Sequence, residues 1–152
     1  MKVTIDQIKK LREKTKAGIA DCRRALEESD GDLKKAEELL KSWGVDKAAK
    51  KADRIVGAGL VETYMHAGGR IGSMVEVACE TDFVARTDEF KNLAHEIAMQ
   101  VAAMDPVTVE ELLKQEYIRD SAKTIDQLVK ETIAKVGENI VIKRFMRFEL
   151  GS

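Results

Sequence analysis

Few side chains in this chain of 152 residues have the type and spacing that covalent chemistry needs. Two histidines occur, His66 and His95, and neither stands at metal-ligand spacing to a cysteine or to the other. His95 lies about one turn from the apolar face of a helical stretch and reads as structural. Cys22 and Cys79 sit in chemically different segments with no evident base beside either, which argues against a nucleophilic thiol. Gly57-Ala58-Gly59-Leu60-Val61-Glu62 begins like a dinucleotide fingerprint, but it lacks the third glycine and opens a strand rather than a helix. Gly68-Gly69-Arg70-Ile71-Gly72 lacks the Lys-Ser/Thr ending of a phosphate loop. With no nucleophile, acid–base pair or metal set, the expectation is a protein that is not an enzyme and uses no cofactor or metal.

What remains is recognition, and Glu80-Thr81-Asp82-Phe83-Val84-Ala85-Arg86 is the segment best suited to it. The run before it, Ser73 to Cys79, alternates with the period of a half-buried strand. The run after it places Phe90, Leu93, Ala94, Ile97, Ala98 and Val101 on one helical face. Phe83 belongs to neither pattern. On pattern alone two readings stay open: an aromatic anchor that plugs into a partner, or a ring folded back over the sheet edge as core.

The elements that would position this segment follow from capping and periodicity. Residues 1–45 are expected to form three short helices joined by tight turns. Thr4-Ile5-Asp6-Gln7 fits a capping box, and Ile5, Ile8 and Leu11 follow on one face. Ala17-Gly18 breaks the pattern before a second helix with Ile19, Cys22, Ala25 and Leu26. Asp32 caps a third helix carrying Leu33, Ala36, Leu39, Leu40 and Trp43, which Gly44 is expected to stop. Residues 46–56 read as a basic, alanine-rich linker around Lys47-Ala48-Ala49-Lys50-Lys51-Ala52-Asp53-Arg54, either a solvated helical connector or a phosphate contact.

Residues 57–150 change character. Leu60 to His66 and Ile71 to Cys79 are strand-like runs around a hairpin connection at Ala67-Gly68-Gly69-Arg70. The long helix ends near Met104, before Asp105-Pro106. Thr108-Val109-Glu110-Glu111 and Thr124-Ile125-Asp126-Gln127 fit further capping boxes. Asn139 to Leu150 reads as a third strand, with Ile140, Ile142, Met146 and Phe148 on one face and Val141 and Phe145 on the other. The fold class is therefore α+β: a three-helix bundle, then a three-stranded antiparallel sheet packed with helices. Phe145 and Phe148 on an edge strand suggest pairing with a second copy of the chain, a homodimer.

Composition bounds the partners. Lys and Arg number 26 against 27 Asp and Glu, so the formal net charge is −1 and no global field attracts nucleic acid or an anionic membrane. Met1-Lys2-Val3-Thr4 runs straight into a helix without a secretory segment, and two cysteines are too few for a disulfide framework. A reduced, cytoplasmic location is expected. On these residues alone, a generic protein-interaction module is the leading class, and an enzyme the least supported.

One resemblance is more specific. Cys79-Glu80-Thr81-Asp82-Phe83-Val84-Ala85-Arg86 resembles the signature of the elongation factor Ts family. Leu11-Arg12, Thr15, Ala17-Gly18, Asp21-Cys22 and Ala25-Leu26 match its N-terminal signature at the same spacing, and Gly31-Asp32 and Lys47 to Lys51 continue the match. Gly137-Glu138-Asn139-Ile140 with Arg144-Phe145 matches a late segment, so the likeness covers essentially the whole chain. Lys16 replaces a common glycine, and Ile19-Ala20 stands where many members carry a methionine pair. The resemblance implies a ubiquitin-associated-like N-terminal bundle and a core that binds elongation factor Tu and promotes GDP release. It implies that Thr81, Asp82, Phe83 and Val84 reach towards the Mg²⁺ and phosphate site, with the phenylalanine wedged between partner helices. It also implies N-terminal contacts from Leu11, Arg12 and Ile19. One core unit instead of two resembles the short form of the family, in which two chains supply the two halves.

Overall fold

Local hydrogen bonds explain where the helices of the computed structural model start; it describes residues 2–152. Helix α1 (Ile5–Thr15) opens where Thr4 Oγ1 accepts the Gln7 amide and Gln7 Oε1 accepts the Thr4 amide, the reciprocal box the sequence predicts. Helix α2 (Ile19–Glu28) follows after Gly18, and α3 (Leu33–Lys51) is capped by Asp32, which accepts the amides of Lys34 and Lys35. Strands β1 (Ala58–Met65) and β2 (Ile71–Cys79) come next, then α4 (Asp82–Ala85) and α5 (Asp88–Met104). Helix α6 (Val109–Lys114), strands β3 (Glu116–Tyr117) and β4 (Asp120–Thr124), helix α7 (Ile125–Val136) and strand β5 (Ile140–Glu149) complete the chain. Threonines 81, 87, 108 and 124 cap α4 to α7 in turn. At Thr108 the expected box is half formed: Glu111 turns its carboxylate to the Val107 amide instead of closing on Thr108.

The main sheet has the order β1-β2-β5, antiparallel throughout. Helix α5 lies across one face and buries Phe90, Leu93, Ala94, Ile97, Ala98 and Val101 against Val75, Val77, Cys79, Ile140 and Ile142. A smaller core of Leu11, Cys22, Ala25, Leu26, Ala36 and Leu40 holds α1, α2 and the first half of α3 together. The leading apolar residue of each of these helices, Ile5, Ile19 and Leu33, is nevertheless exposed. Among the described residues no helix is long and apolar enough to cross a membrane.

Tertiary packing corrects two expectations and adds a third element the pattern does not show. Helix α3 does not stop at Gly44 but continues to Lys51, so part of the 46–56 connector is helical. Glycine stands there because α3 crosses α7 closely: a Cβ on Gly44 would meet Ala134 Cβ at 3.3 Å. As a result Ala36 and Leu40 of α3 lie in the small core while Ala48 lies in the large one. The second correction concerns β5. The register shifts between Glu76 and Val77, with Val77 opposite Ile142 and Glu76 opposite Arg144, so Lys143 is an extra residue. Every side chain beyond it changes face. Ile140, Ile142 and Phe145 therefore belong to the core side, while Met146 and Phe148 are exposed on the outer side with Val61 and Met74. Phe145 is not available to a second copy in the way the plain alternation suggests. The third is the β3–β4 hairpin, which periodicity does not announce. Buried Gln100 holds it, donating from Nε2 to the Glu116 carbonyl and accepting the Ile118 amide.

The entry of the sheet depends on one glycine. Gly59 has φ +137°, and a Cβ there would fall 2.1 Å from the Val77 carbonyl oxygen of the paired strand. Gly59→Ala should cost about 3 kcal/mol of stability, read by urea unfolding. Gly57→Ala, where an added Cβ meets nothing within 4 Å, should stay within about 0.5 kcal/mol of the parent. Equal effects of the two would contradict this account of the strand pair.

Candidate functional site

The 80–87 segment leaves β2 at Cys79 and is pinned at several points before α5 begins. The buried Cys79 thiol donates to the Thr81 carbonyl at 3.2 Å. Thr81 Oγ1 accepts the Val84 amide at 3.3 Å and so caps the single turn of α4. Thr87 Oγ1 donates to the Val84 carbonyl at 2.7 Å and accepts the Phe90 amide, which joins the end of that turn to the start of α5. Val84 and Ala85 point into the main core. On a one-turn helix the two preceding side chains must then face away, and they do: Asp82 is exposed and Phe83 is 79% exposed. Of the two readings that pattern alone leaves open for Phe83, the structure favours the outward one.

From across the chain comes a second layer of support, whose segment the resemblance includes but whose role the sequence reading does not give. Glu138 Oε1 accepts the amides of Glu80 and Thr81 at 3.2 and 2.9 Å, and its Oε2 accepts the Thr81 hydroxyl at 2.7 Å. In return, Glu80 Oε2 accepts the Asn139 amide at 2.8 Å and lies 3.5 Å from Arg54. Buried Asn139 donates from Nδ2 to the carbonyls of Ala52 and Arg54. Three segments distant in sequence thus converge just before α4: the end of α3, the 80–81 turn and the 138–139 turn. A residue 57 positions away leaves no periodic trace, so periodicity could not have found Glu138. The one legible signal is Gly137, whose φ of 76° ends α7 and turns Glu138 towards α4.

The expected site residues divide by burial. Asp82 and Phe83 are presented to solvent, while Thr81 and Val84 hold them there, Val84 from within the core. In the N-terminal bundle Arg12 and Ile19 are exposed, but Leu11 is 1% exposed and fills the small core. Its side chain supports that surface without forming it. Lys16, in the left-handed conformation at φ 59°, ends α1 beside them. Two cations of the basic connector are engaged within the chain: Lys47 with Asp21 at 2.6 Å and Arg54 with Glu80. That weakens the alternative of a phosphate-contacting strip.

The arrangement offers little to covalent chemistry. Both cysteines are free and buried. Burial pushes the Cys79 thiol above its usual range, and the neighbouring Glu138 carboxylate pushes it further. Burial likewise raises Cys22. Among the described residues no group of three His, Cys, Asp or Glu side chains is placed to hold a metal ion. His95 is exposed and lies edge-on to Tyr64 at 5.8 Å between ring centres. An outward benzyl ring forgoes burial worth about 1.5–3 kcal/mol within its own chain, a gain open to another molecule.

Comparison with known proteins points the same way. A family model described as elongation factor TS matches residues 80–152, the stretch that begins at the pinned segment. Elongation factor Ts of Thermoanaerobacter sp. (strain X514) is 44% identical over 194 aligned residues, covering 98% of this chain and 95% of that protein. The elongation factor Ts of Coprothermobacter proteolyticus is 41% identical, covering 99% of this chain and 100% of that protein. With 194 aligned positions and 152 residues here, at least 42 positions of the Thermoanaerobacter alignment face gaps in this chain. Elongation factor Ts of Nostoc sp. is 48% identical over 143 residues, which are 94% of this chain but 45% of that protein.

Proposed function

The chain belongs to the elongation factor Ts family, and we propose that it binds elongation factor Tu in the cytoplasm and promotes release of GDP, so that GTP can reload. The observation that carries this reading is Phe83, held in solvent by a turn fixed on both sides. An exchange factor forms no covalent bond, which suits a surface with no activated nucleophile. Its work is a difference of affinities. It must hold the nucleotide-free GTPase more tightly than the nucleotide-bound one, and by linkage the nucleotide weakens its hold by the same factor.

Phe83 supplies such a difference if its ring enters a space between partner helices that exists only when the Mg²⁺ and phosphate loops are displaced. A ring already outside and already oriented loses little freedom on insertion, so more of its burial energy reaches the partner. Asp82 stands beside it as a charged neighbour, and Thr81 and Val84 keep both in place. Arg12 and Ile19 form a second contact surface on the N-terminal bundle, with Leu11 beneath. Because α3 runs unbroken from the small core into the large one, the two surfaces are held at a set spacing. A GTPase docked on the bundle is thereby aligned with Phe83.

A second copy of the chain is the proposed occupant of the outer sheet face, in keeping with a family whose Nostoc member is more than twice the length of the match. Val61, Met74, Met146 and Phe148 are exposed there on neighbouring strands, too many adjacent apolar groups to be left in water without consequence.

Phe83→Ala should leave the circular dichroism and melting of the free chain close to the parent. It should slow stimulated release of labelled GDP from elongation factor Tu about thirtyfold, the equivalent of about 2 kcal/mol at a central anchor. A large loss of stability with unchanged exchange per folded molecule would contradict the proposal. For the outer face, sedimentation of the parent at micromolar concentration should give a dimer that Phe148→Lys converts to a folded monomer. A parent that sediments as a monomer excludes the second copy.

A further inference from the structure

We infer that Glu138 is a positioning residue for the Phe83 wedge, acting through the backbone and hydroxyl of Thr81; the inference rests on the functional reading of Phe83 given above. All three hydrogen bonds of the Glu138 carboxylate go to Glu80 and Thr81, the residues just before Asp82 and Phe83. What it does is fix the direction from which the wedge is presented.

The argument starts with how the carboxylate is used. Its three hydrogen bonds all run to the 80–81 turn, at 3.2, 2.9 and 2.7 Å. Among the described residues no cation forms an ion pair with it. The shortest of the three has a second effect. By accepting the hydrogen bond of the Thr81 hydroxyl, Glu138 leaves the oxygen's lone pairs free to face the Val84 amide. The rotamer that caps α4 is thus selected from outside the turn. A one-turn helix cannot sustain itself by propagation, since nucleation is unfavourable and only one turn of bonds follows. Without that selected rotamer, Thr81 can turn to water and α4 loses its cap, and with it the constraint that keeps Val84 in and Phe83 out.

The placement of the carboxylate is itself secured. Gly137 ends α7 in the left-handed region, and the Asn139 amide is held by Glu80 at 2.8 Å. The Glu138 carboxylate thus holds the Glu80 amide while the Glu80 carboxylate holds the Asn139 amide, which joins the end of β2 to the start of β5.

The full chain is used in four forms: parent, Glu138→Ala, Phe83→Ala and the double variant. Glu138→Ala is expected to lower the maximal stimulated rate of GDP release from elongation factor Tu about tenfold, with less than a threefold change in the half-saturating concentration. On the Phe83→Ala background the same change should cost less than twofold, because a residue that acts through the ring has nothing left to position. Glu138→Gln keeps an oxygen for the backbone amides but turns an amide donor towards the Thr81 hydroxyl, so it should fold and still lower the same rate about fivefold. Independent of any GTPase, hydrogen exchange at the Thr81 and Val84 amides should speed up at least tenfold in Glu138→Ala. Losses that add in the double variant, or parent-like protection of those amides, overturn the inference. If Glu138→Ala does not fold, Glu138→Gln carries the same cycle and the same exchange readout. A parent chain that fails to stimulate GDP release sinks the functional reading instead, and the amide exchange still decides whether Glu138 fixes the turn.

Discussion

An aromatic ring stays in water only if the backbone on either side is fixed by interactions that do not involve the ring. The proposed function depends on that constraint. Val84 and Ala85 are drawn into the core on one side of α4, Thr81 and Thr87 cap its two ends, and the Glu138 carboxylate fastens the turn from below. Collapse of Phe83 onto its own sheet would bury apolar surface worth about 1.5–3 kcal/mol. It would also pull Val84 and Ala85 out and break the Thr81 cap, which outweighs the gain. The exposed state is therefore the low-energy one, and it is reached before any partner arrives.

The second constraint is mechanical. A bundle of 45 or so residues buries too little surface to be more than marginal alone. Here it borrows stability by sharing α3 with the main core, through the close crossing of Gly44 over Ala134 and the burial of Ala48. Asn139 then holds the carbonyls that follow the helix, at Ala52 and Arg54, to the turn just before α4. The bundle surface and the Phe83 turn are thus joined through one continuous helix and its hydrogen-bonded end. On the proposed reading, the entropy of aligning two contacts is lost on folding and not again on binding.

Much of this was legible in the residues because the signals are local. Threonine caps act over three residues, so the starts of α1, α6 and α7 could be placed from sequence, and a period of 3.6 found the buried face of α5. What was not legible is set by distant partners. Gly44 carries the same letter whether it ends a helix or lets one pack closely, and Ala134 decides between them. The extra residue at Lys143 reverses the faces of Phe145 and Phe148, and only the pairing with β2 fixes it. Gln100 looks like any polar residue on a helix until the β3–β4 hairpin closes over it. Leu11 was drawn into the contact surface by a family motif, yet its apolar spacing already pointed inward. The exchange of hydrogen bonds between the 80–81 and 138–139 turns joins residues more than fifty positions apart; the family motifs contain Glu80 and Glu138, but neither periodicity nor capping pairs them.

The central claim is that the Phe83 turn is rigid and outward in the free chain, and ¹⁵N relaxation of the Asp82 to Ala85 amides tests it most directly. Order parameters near 0.85, equal to those of α5, are the expected result. Values below about 0.6 in the free chain, rising only when the GTPase is added, would mean that the partner builds the wedge, and the account would fail.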